Sequence, residues 1–248
     1  MNEDQSRLAA WGSRLAILGL VVLVVCIVLL RFDLMAFRLP LLGIAVAGLL
    51  GIVALVVSLI GLVSVLRGKR AGLSAALIGI VVALVAATPF TTSFMKGRSV
   101  PPIHDITTDL ANPPQFVAIL PLRATSPNPL DRAEPADLAA QQAKAYPSLA
   151  PVTLDALPGK VFEASRDVVH DMGWDLVSAA PDSGLIEATA TTNLLHFKDD
   201  VVIRITETDA GGSIVDLRSV SRVGMSDLGA NAARIEAFIE ALKAKLAS

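Results

Sequence analysis

LAILGLVVLVVCIVLL, residues 15–30, contains no charged residue. Leu39–Leu66 and Gly72–Phe90 repeat the pattern, again without Asp, Glu, Lys or Arg. Crossing a hydrocarbon layer of about 30 Å takes roughly 20 apolar residues as helix. Inside lipid the backbone must satisfy its own hydrogen bonds, which a helix does. The N-terminal third therefore reads as three transmembrane helices, near residues 15–31, 39–66 and 72–90, with 1–14 ahead of them and the membrane part ending near 94. Everything after it is water-soluble in character.

The mean hydropathy of +0.62 averages two unlike parts. Residues 1–99 hold nine Lys/Arg against three Asp/Glu, a net of +6; residues 100–248 hold twelve against twenty, a net of −8. An acidic soluble part speaks against nucleic-acid binding, where basic patches supply most of the affinity. It also speaks against that part lying flat on anionic lipid. The one cysteine, Cys26, lies inside the first span, so no disulfide can form within one chain. No small-residue cleavage site follows the first span; the next residues are Arg31-Phe32-Asp33, which favours a retained helix over a cleaved signal.

Orientation is read from charge. Arg67-Gly68-Lys69-Arg70 packs three positive charges into four residues, on the same side as Arg7 and Arg14. Arg31, Arg38, Lys96 and Arg98 fall on the other side. The density of the 67–70 loop places residues 1–14 in the cytoplasm and the C-terminal domain outside, as an inner-membrane protein with a periplasmic domain. Gly43, Ala47 and Gly51, with Ala71, Ala75, Gly79, Ala83 and Ala87, recur every four residues. Such spacing lets helices approach closely in lipid, between spans two and three or between copies of the chain as a homo-oligomer.

Residues 95–151 form a proline-rich segment; ten of the fourteen prolines fall between 100 and 151. Proline fixes φ and disfavours helix before it, so the segment is extended or turn-rich, with a short helix near 135–145 within Glu134–Ala145. From 152 to 248 the signals alternate. A short strand at Pro151–Leu154 precedes an amphipathic helix at Leu157–Met172, stopped by Gly173. Strands follow at Trp174–Ala179, Leu185–Thr192, Val201–Thr208 and Ile214–Val223, with turn residues between them. A helix over Asn231–Leu246 closes the chain. The order β-α-β-β-β-β-α predicts an α+β domain of two layers, an antiparallel sheet with its helices on one face.

Four blocks carry a family resemblance. Ile103–Asp109 with Asn112-Pro113-Pro114, Gln142–Pro147 with Pro151, Phe197–Val201, and Asp216–Gly224 with Ser226–Gly229 and Asn231–Ile235 together resemble the domain-of-unknown-function family 1499 (DUF1499), over residues 103–246. The membrane part lies outside the match. The resemblance implies a domain, often membrane-attached, with no agreed activity.

Chemistry is sparse. There is no GxSxG, HExxH, phosphate loop or CxxC. His104, Asp105 and Asp109 bring together imidazole and carboxylates, but a third ligand is missing; a structural loop with local caps or a partner contact fits better than a metal. His170 lies near a helix end, where a cation complements the dipole. Asp199-Asp200 reads as a solvated turn. Arg218 and Arg222, four apart on one strand, point to the same face. With Asp227 or Asn231 as cap and Arg234 in the first turns of the last helix, they outline a ligand site for an anion or carboxylate. The alternative is that Asp216 and Asp227 neutralise these arginines internally. No cofactor or metal is expected. The expected partners are the lipid bilayer and an envelope protein or anionic ligand. The residues point to a non-catalytic binding module of the cell envelope. The competing reading is an enzyme on an anionic envelope substrate, with Arg218, Arg222 and Arg234 binding and His104 or Asp105 as acid/base.

Overall fold

The structure, a computed structural model, describes residues 6–68, 71–133 and 135–247. Lys69 and Arg70, two of the three charges on which the orientation rests, and Glu134, the expected start of the short helix, lie outside the described residues. Two compact units emerge: Met1–Lys96 with Leu194–His196, and Gly97–Asn193 with Phe197–Ser248.

The first unit is built on α1 (Arg7–Arg31), α2 (Arg38–Gly68) and α3 (Leu73–Ser99), each long and apolar enough to cross a membrane. α1 begins earlier than its apolar run because Ser6 caps it, the hydroxyl accepting from the Ala9 amide. Its buried residues, Ala9, Gly12, Ala16, Gly19, Leu23, Cys26 and Leu30, step alternately by three and four. That 3.5-residue period is the seam of helices packed side by side. Its other faces expose Ile17, Leu18, Val21, Val24, Val25 and Val28, the composition that hydrocarbon favours. α1 joins the small-residue packing expected of spans two and three. A Cβ on Gly61 would stand 2.6 Å from the Ala9 amide nitrogen, and one on Gly51 would stand 2.8 Å from that of Ala87.

α3 runs through Pro89 and continues nine residues past its apolar stretch. The hydroxyls of Thr88, Thr91 and Thr92 donate back to the carbonyls of Leu84, Ala87 and Thr88 at 2.7–3.0 Å. These bonds keep the polar side chains on the helix, so loss of hydrophobicity did not mark its end.

The second unit is α+β. β1 (Asp105–Thr107), β2 (Val152–Leu154), β3 (Asp175–Ala180), β4 (Leu185–Thr191), β5 (Lys198–Glu207) and β6 (Ser213–Ser221) form one antiparallel sheet. The order is β1-β6-β5-β4-β3, and β2 pairs with β6 beyond β1. Consecutive hairpins set the registers: Asp199↔Ser221 through Glu207↔Ser213, and Leu185↔Arg204 through Thr191↔Lys198. Gly184 turns the chain into β4 at φ +63°, where a Cβ would strike the Ile205 carbonyl; only glycine fits.

α4 (Leu138–Ala145), α5 (Pro158–Asp171) and α6 (Ala230–Ala247) complete the unit. α5 and α6 bury Val161, Phe162, Val168, Val169, Ile235, Phe238 and Leu242 against Ile186, Ala188, Val201, Ile203, Ile205, Val215 and Leu217 of the sheet. Trp174 stacks on Phe238 with ring centres 5.7 Å apart. Odd-numbered residues of β5 and β6 and even-numbered residues of β4 face this core, as a period of two requires.

The expected loop at His104–Asp109 is corrected: its centre is β1, paired with β6 as Asp105↔Val220 to Thr107↔Arg218. A strand of three residues between prolines, with Ile106 as its one apolar side chain, is too short to show an alternation. The close glycine contacts of the helices give a direct test. Gly51→Leu should lower the stability of the full chain in detergent by about 1–3 kcal/mol through overpacking. Leu49→Val, on an exposed face of the same helix, should change it by less than about 0.5 kcal/mol. Thermal unfolding of the two variants checks this.

Candidate functional site

Alternation leaves a second face of the sheet, and it is not bare. Glu187 and Thr189 from β4, Asp200, Val202 and Arg204 from β5, and Asp216, Arg218 and Val220 from β6, with Arg222 just past its end, point to it. The segment from 108 to 133 covers them. Phe116 and Ile119 pack on Val202 and Val220 as a small apolar cluster. Around that cluster runs a layer of arginines and carboxylates.

Arg218 is fully buried. Its Nε and Nη2 donate to the two oxygens of Asp105 at 3.1 and 2.7 Å, the forked geometry a guanidinium is shaped for. Its remaining donors reach the carbonyls of Leu130, at 2.6 Å, and Pro114, at 3.3 Å, and Phe116 lies 5.3 Å from its guanidinium carbon. Arg132 holds Asp105 from the other side. Asp200, also fully buried, takes Arg222 through both oxygens, at 2.9 and 2.8 Å, and Arg123 at 2.8 Å, with the Thr189 hydroxyl as a fourth donor. Arg204 bridges Asp216 at 2.9 Å and Asp109 at 3.2 Å. Asp109 also caps its own turn, accepting from the amides of Ala111 and Asn112.

Glu187 works on amides instead of arginines. Its carboxylate accepts from three consecutive backbone N–H groups, Val117, Ala118 and Ile119, at 2.9–3.0 Å. Gln142 of α4 does the equivalent for β1: it accepts from the Thr107 amide and donates to the Thr107 carbonyl, taking the place of a neighbouring strand. Burial pulls the guanidinium pKa of Arg123 and of Arg132 below the ordinary value, while Asp200 and Asp105 respectively oppose the shift. Arg123 Nε and Arg132 Nη2 are buried without a partner.

The five residues of the expected anion site are thus divided. Arg218 and Arg222 share the covered face, each locked to a carboxylate. Asn231 and Arg234 lie on the helix side. There Arg234 pairs with Asp199, and the Asn231 amide donates to the His104 carbonyl and the Ser221 hydroxyl. Asp227 occupies the N-terminus of α6, accepting from the amides of Gly229 and Asn231 at 2.9 and 2.7 Å. Burial pushes its carboxyl up against the pull of those two bonds. The internal partners of the strand arginines are Asp105 and Asp200, in place of Asp216 and Asp227. Asp199-Asp200 is no solvated turn: both are buried within β5. Glu187, Gln142, Arg123 and Arg132 escaped the sequence reading. A lone carboxylate amid Ile186, Ala188 and Thr189 was the one available sign of Glu187.

One open surface lies beside this layer. Pro102, His104, Pro127, Pro129, Ala133 and Met225, with Asn128, Asp131, Pro135 and Gln141, line a cleft of about 650 Å³. Met225 is 82% exposed. Arg132, between Asp131 and Ala133, has φ +57°, a left-handed conformation uncommon outside glycine. The Asn128 side chain is committed to the carbonyls of Ser221 and Gly224, so it fixes the wall. His104 Nδ1 lies 3.4 Å from the Met225 carbonyl. Among the described residues, no group of three or more His, Cys, Asp or Glu is placed to hold a metal ion.

The Arg218 pair yields the sharpest expectation. Arg218→Ala strands Asp105 in the interior and should cost about 3–5 kcal/mol. Arg222→Ala should cost about 1 kcal/mol, because that side chain is partly exposed and Arg123 still neutralises Asp200. Unfolding of the full-length variants in detergent measures both; equal losses would contradict the arrangement.

Compared with known families, residues 105–242 match the model of DUF1499, described as a protein of unknown function, which is more than half of the chain. No curated protein matches it.

Proposed function

The chain belongs to the DUF1499 family, and on that footing we propose that it is a membrane-anchored, extracytoplasmic module of the cell envelope that binds a partner or ligand without catalysing a reaction. The observation that carries this reading is the cleft walled by Pro102, His104, Pro127, Pro129, Ala133 and Met225. Its volume falls in the range of small-molecule and peptide sites. Proline rings and a thioether make its walls largely apolar, and Asp131, Gln141 and His104 supply a few polar groups. Such a surface suits an apolar body with a hydrogen-bonding end. The strained Arg132 lies between two wall residues, Asp131 and Ala133, and strain of that kind persists where surroundings over-determine a backbone.

The arginine layer supports the same reading from the other side. Arg218, Arg222, Arg234 and Arg204 each have carboxylate partners within the fold. An anion would have to compete with those buried pairs, so the cleft is the more accessible surface. Outward orientation is supported by the basic loop from Arg67 to Arg70 under the positive-inside tendency.

One experiment tests place and occupancy together. Met225→Cys in a Cys26→Ala chain is treated in whole cells with a membrane-impermeant maleimide. Labelling is expected, but several-fold slower than in the purified protein, because an occupant shields the cleft. Leu120→Cys, exposed and away from the cleft, should label at the same rate in both. Failure of both cysteines to label in cells overturns the orientation. Equal rates for Met225→Cys in cells and in isolation overturn the binding role of the cleft.

A further inference from the structure

The hairpin joining β4 to β5 ends in a tip of unexpected composition. From Ala188 to Phe197 there is no charged residue; charges resume at Lys198-Asp199-Asp200. The next hairpin uses Asp209-Ala210-Gly211-Gly212, ordinary polar turn residues. Here the turn is Asn193-Leu194-Leu195-His196. It is braced rather than loose: the Thr192 amide donates to the Phe197 carbonyl and the Phe197 amide to the Thr192 hydroxyl, both at 2.9 Å. His196 takes φ +60°, a conformation that glycine or asparagine would adopt more easily. The two leucines are thus held out on a closed loop, and Leu194 is 56% exposed.

The compact unit formed by the three helices includes Leu194–His196. Within it, Leu194 and Leu195 line an apolar cavity of about 170 Å³ together with Leu23, Leu41, Ile44 and Phe90. Those four residues come from the second half of α1, the first half of α2 and the second half of α3. They mark the end of the bundle away from the α2–α3 turn. The tip therefore lies among the apolar residues at that end of the bundle, with Leu194 still open to its surroundings.

We propose that Leu194 and Leu195 form a lipid-contacting finger, seated in the acyl chains at the edge of the bilayer that α1, α2 and α3 cross. The occupant is hydrocarbon and not a headgroup. The tip carries no Lys or Arg to hold a phosphate, and the soluble part has a net charge of −8, which anionic lipid repels. The contact consequently does not need anionic lipid. It gives the domain a second hold on the membrane besides its covalent link to α3.

The test uses the full chain with Trp11→Phe and Leu194→Trp, in vesicles of phosphatidylcholine whose acyl chains are brominated. Trp174, stacked on Phe238, remains as an internal reference. The emission added at position 194 should be quenched by the brominated chains and resist iodide in the water. Val117→Trp, at a 62% exposed site of the other unit, should show the reverse. Quenching at 194 by iodide alone would overturn the proposal, as would quenching by neither agent, which means packing against protein. A requirement for added anionic lipid would also overturn it. If Leu194→Trp misfolds, Leu194→Cys in a Cys26→Ala chain, labelled with a polarity-sensitive fluorophore, gives the same readout through the same quenchers.

Discussion

The domain depends on the pairing of Arg218 with Asp105. Both side chains are essentially without solvent, and they belong to strands whose contact defines one side of the sheet. Removing two charges from water is expensive, and attraction repays it only with good geometry and every remaining donor and acceptor engaged. Here the fork of Arg218 meets both oxygens of Asp105, and its spare donors take carbonyls of Pro114 and Leu130. Those carbonyls belong to the proline-rich segment. The pair therefore fastens a stretch with few backbone bonds of its own onto a sheet that has them in plenty.

The same logic repeats along the segment. Arg123 fixes it to Asp200, Asp109 to Arg204, and Glu187 reaches up from β4 to gather three of its amides. Beyond the three residues of β1, proline-rich chain pairs poorly as a strand, because it lacks donors at intervals and has fixed φ. Side chains on the sheet serve as its partners instead. An apolar face would have left those amides and carbonyls unsatisfied. The polar layer thus follows from covering a sheet with proline-rich chain, and it holds in place the 127–133 stretch that walls the cleft.

Much of the architecture was legible in the residues. Uncharged runs of this length have few outcomes other than membrane helices, and strands with period two and helices with period 3.6 kept their order and nearly their ends. Arg218 and Arg222 on one face also followed from spacing alone. Their partners did not. Asp105 is 113 residues from Arg218, in a segment whose prolines hide its one short strand, and ion pairs that distant leave no local pattern. Asp199-Asp200 looked solvated because paired acids usually are; both are buried because arginines arrive from α6 and from the 108–133 segment. Arg234 looked like a neighbour of Arg218, but one helix residue's azimuth decides which side of a sheet it serves, and that is set by packing. The cleft was illegible for the same reason: its walls come from separate stretches of the chain, from Pro102 to Met225.

The central claim is that buried charge, and not apolar packing, holds the proline-rich segment to the sheet. Hydrogen exchange of Asp200→Asn in the full chain addresses it most directly. Among the described residues Asp200 bonds to the segment through Arg123 alone, and it lies on the face away from α5 and α6. Amides of residues 117–130 should lose protection together while those of α5, α6 and the strands facing them keep theirs. Unchanged protection in 117–130, or an equal loss across the whole domain, would contradict the account.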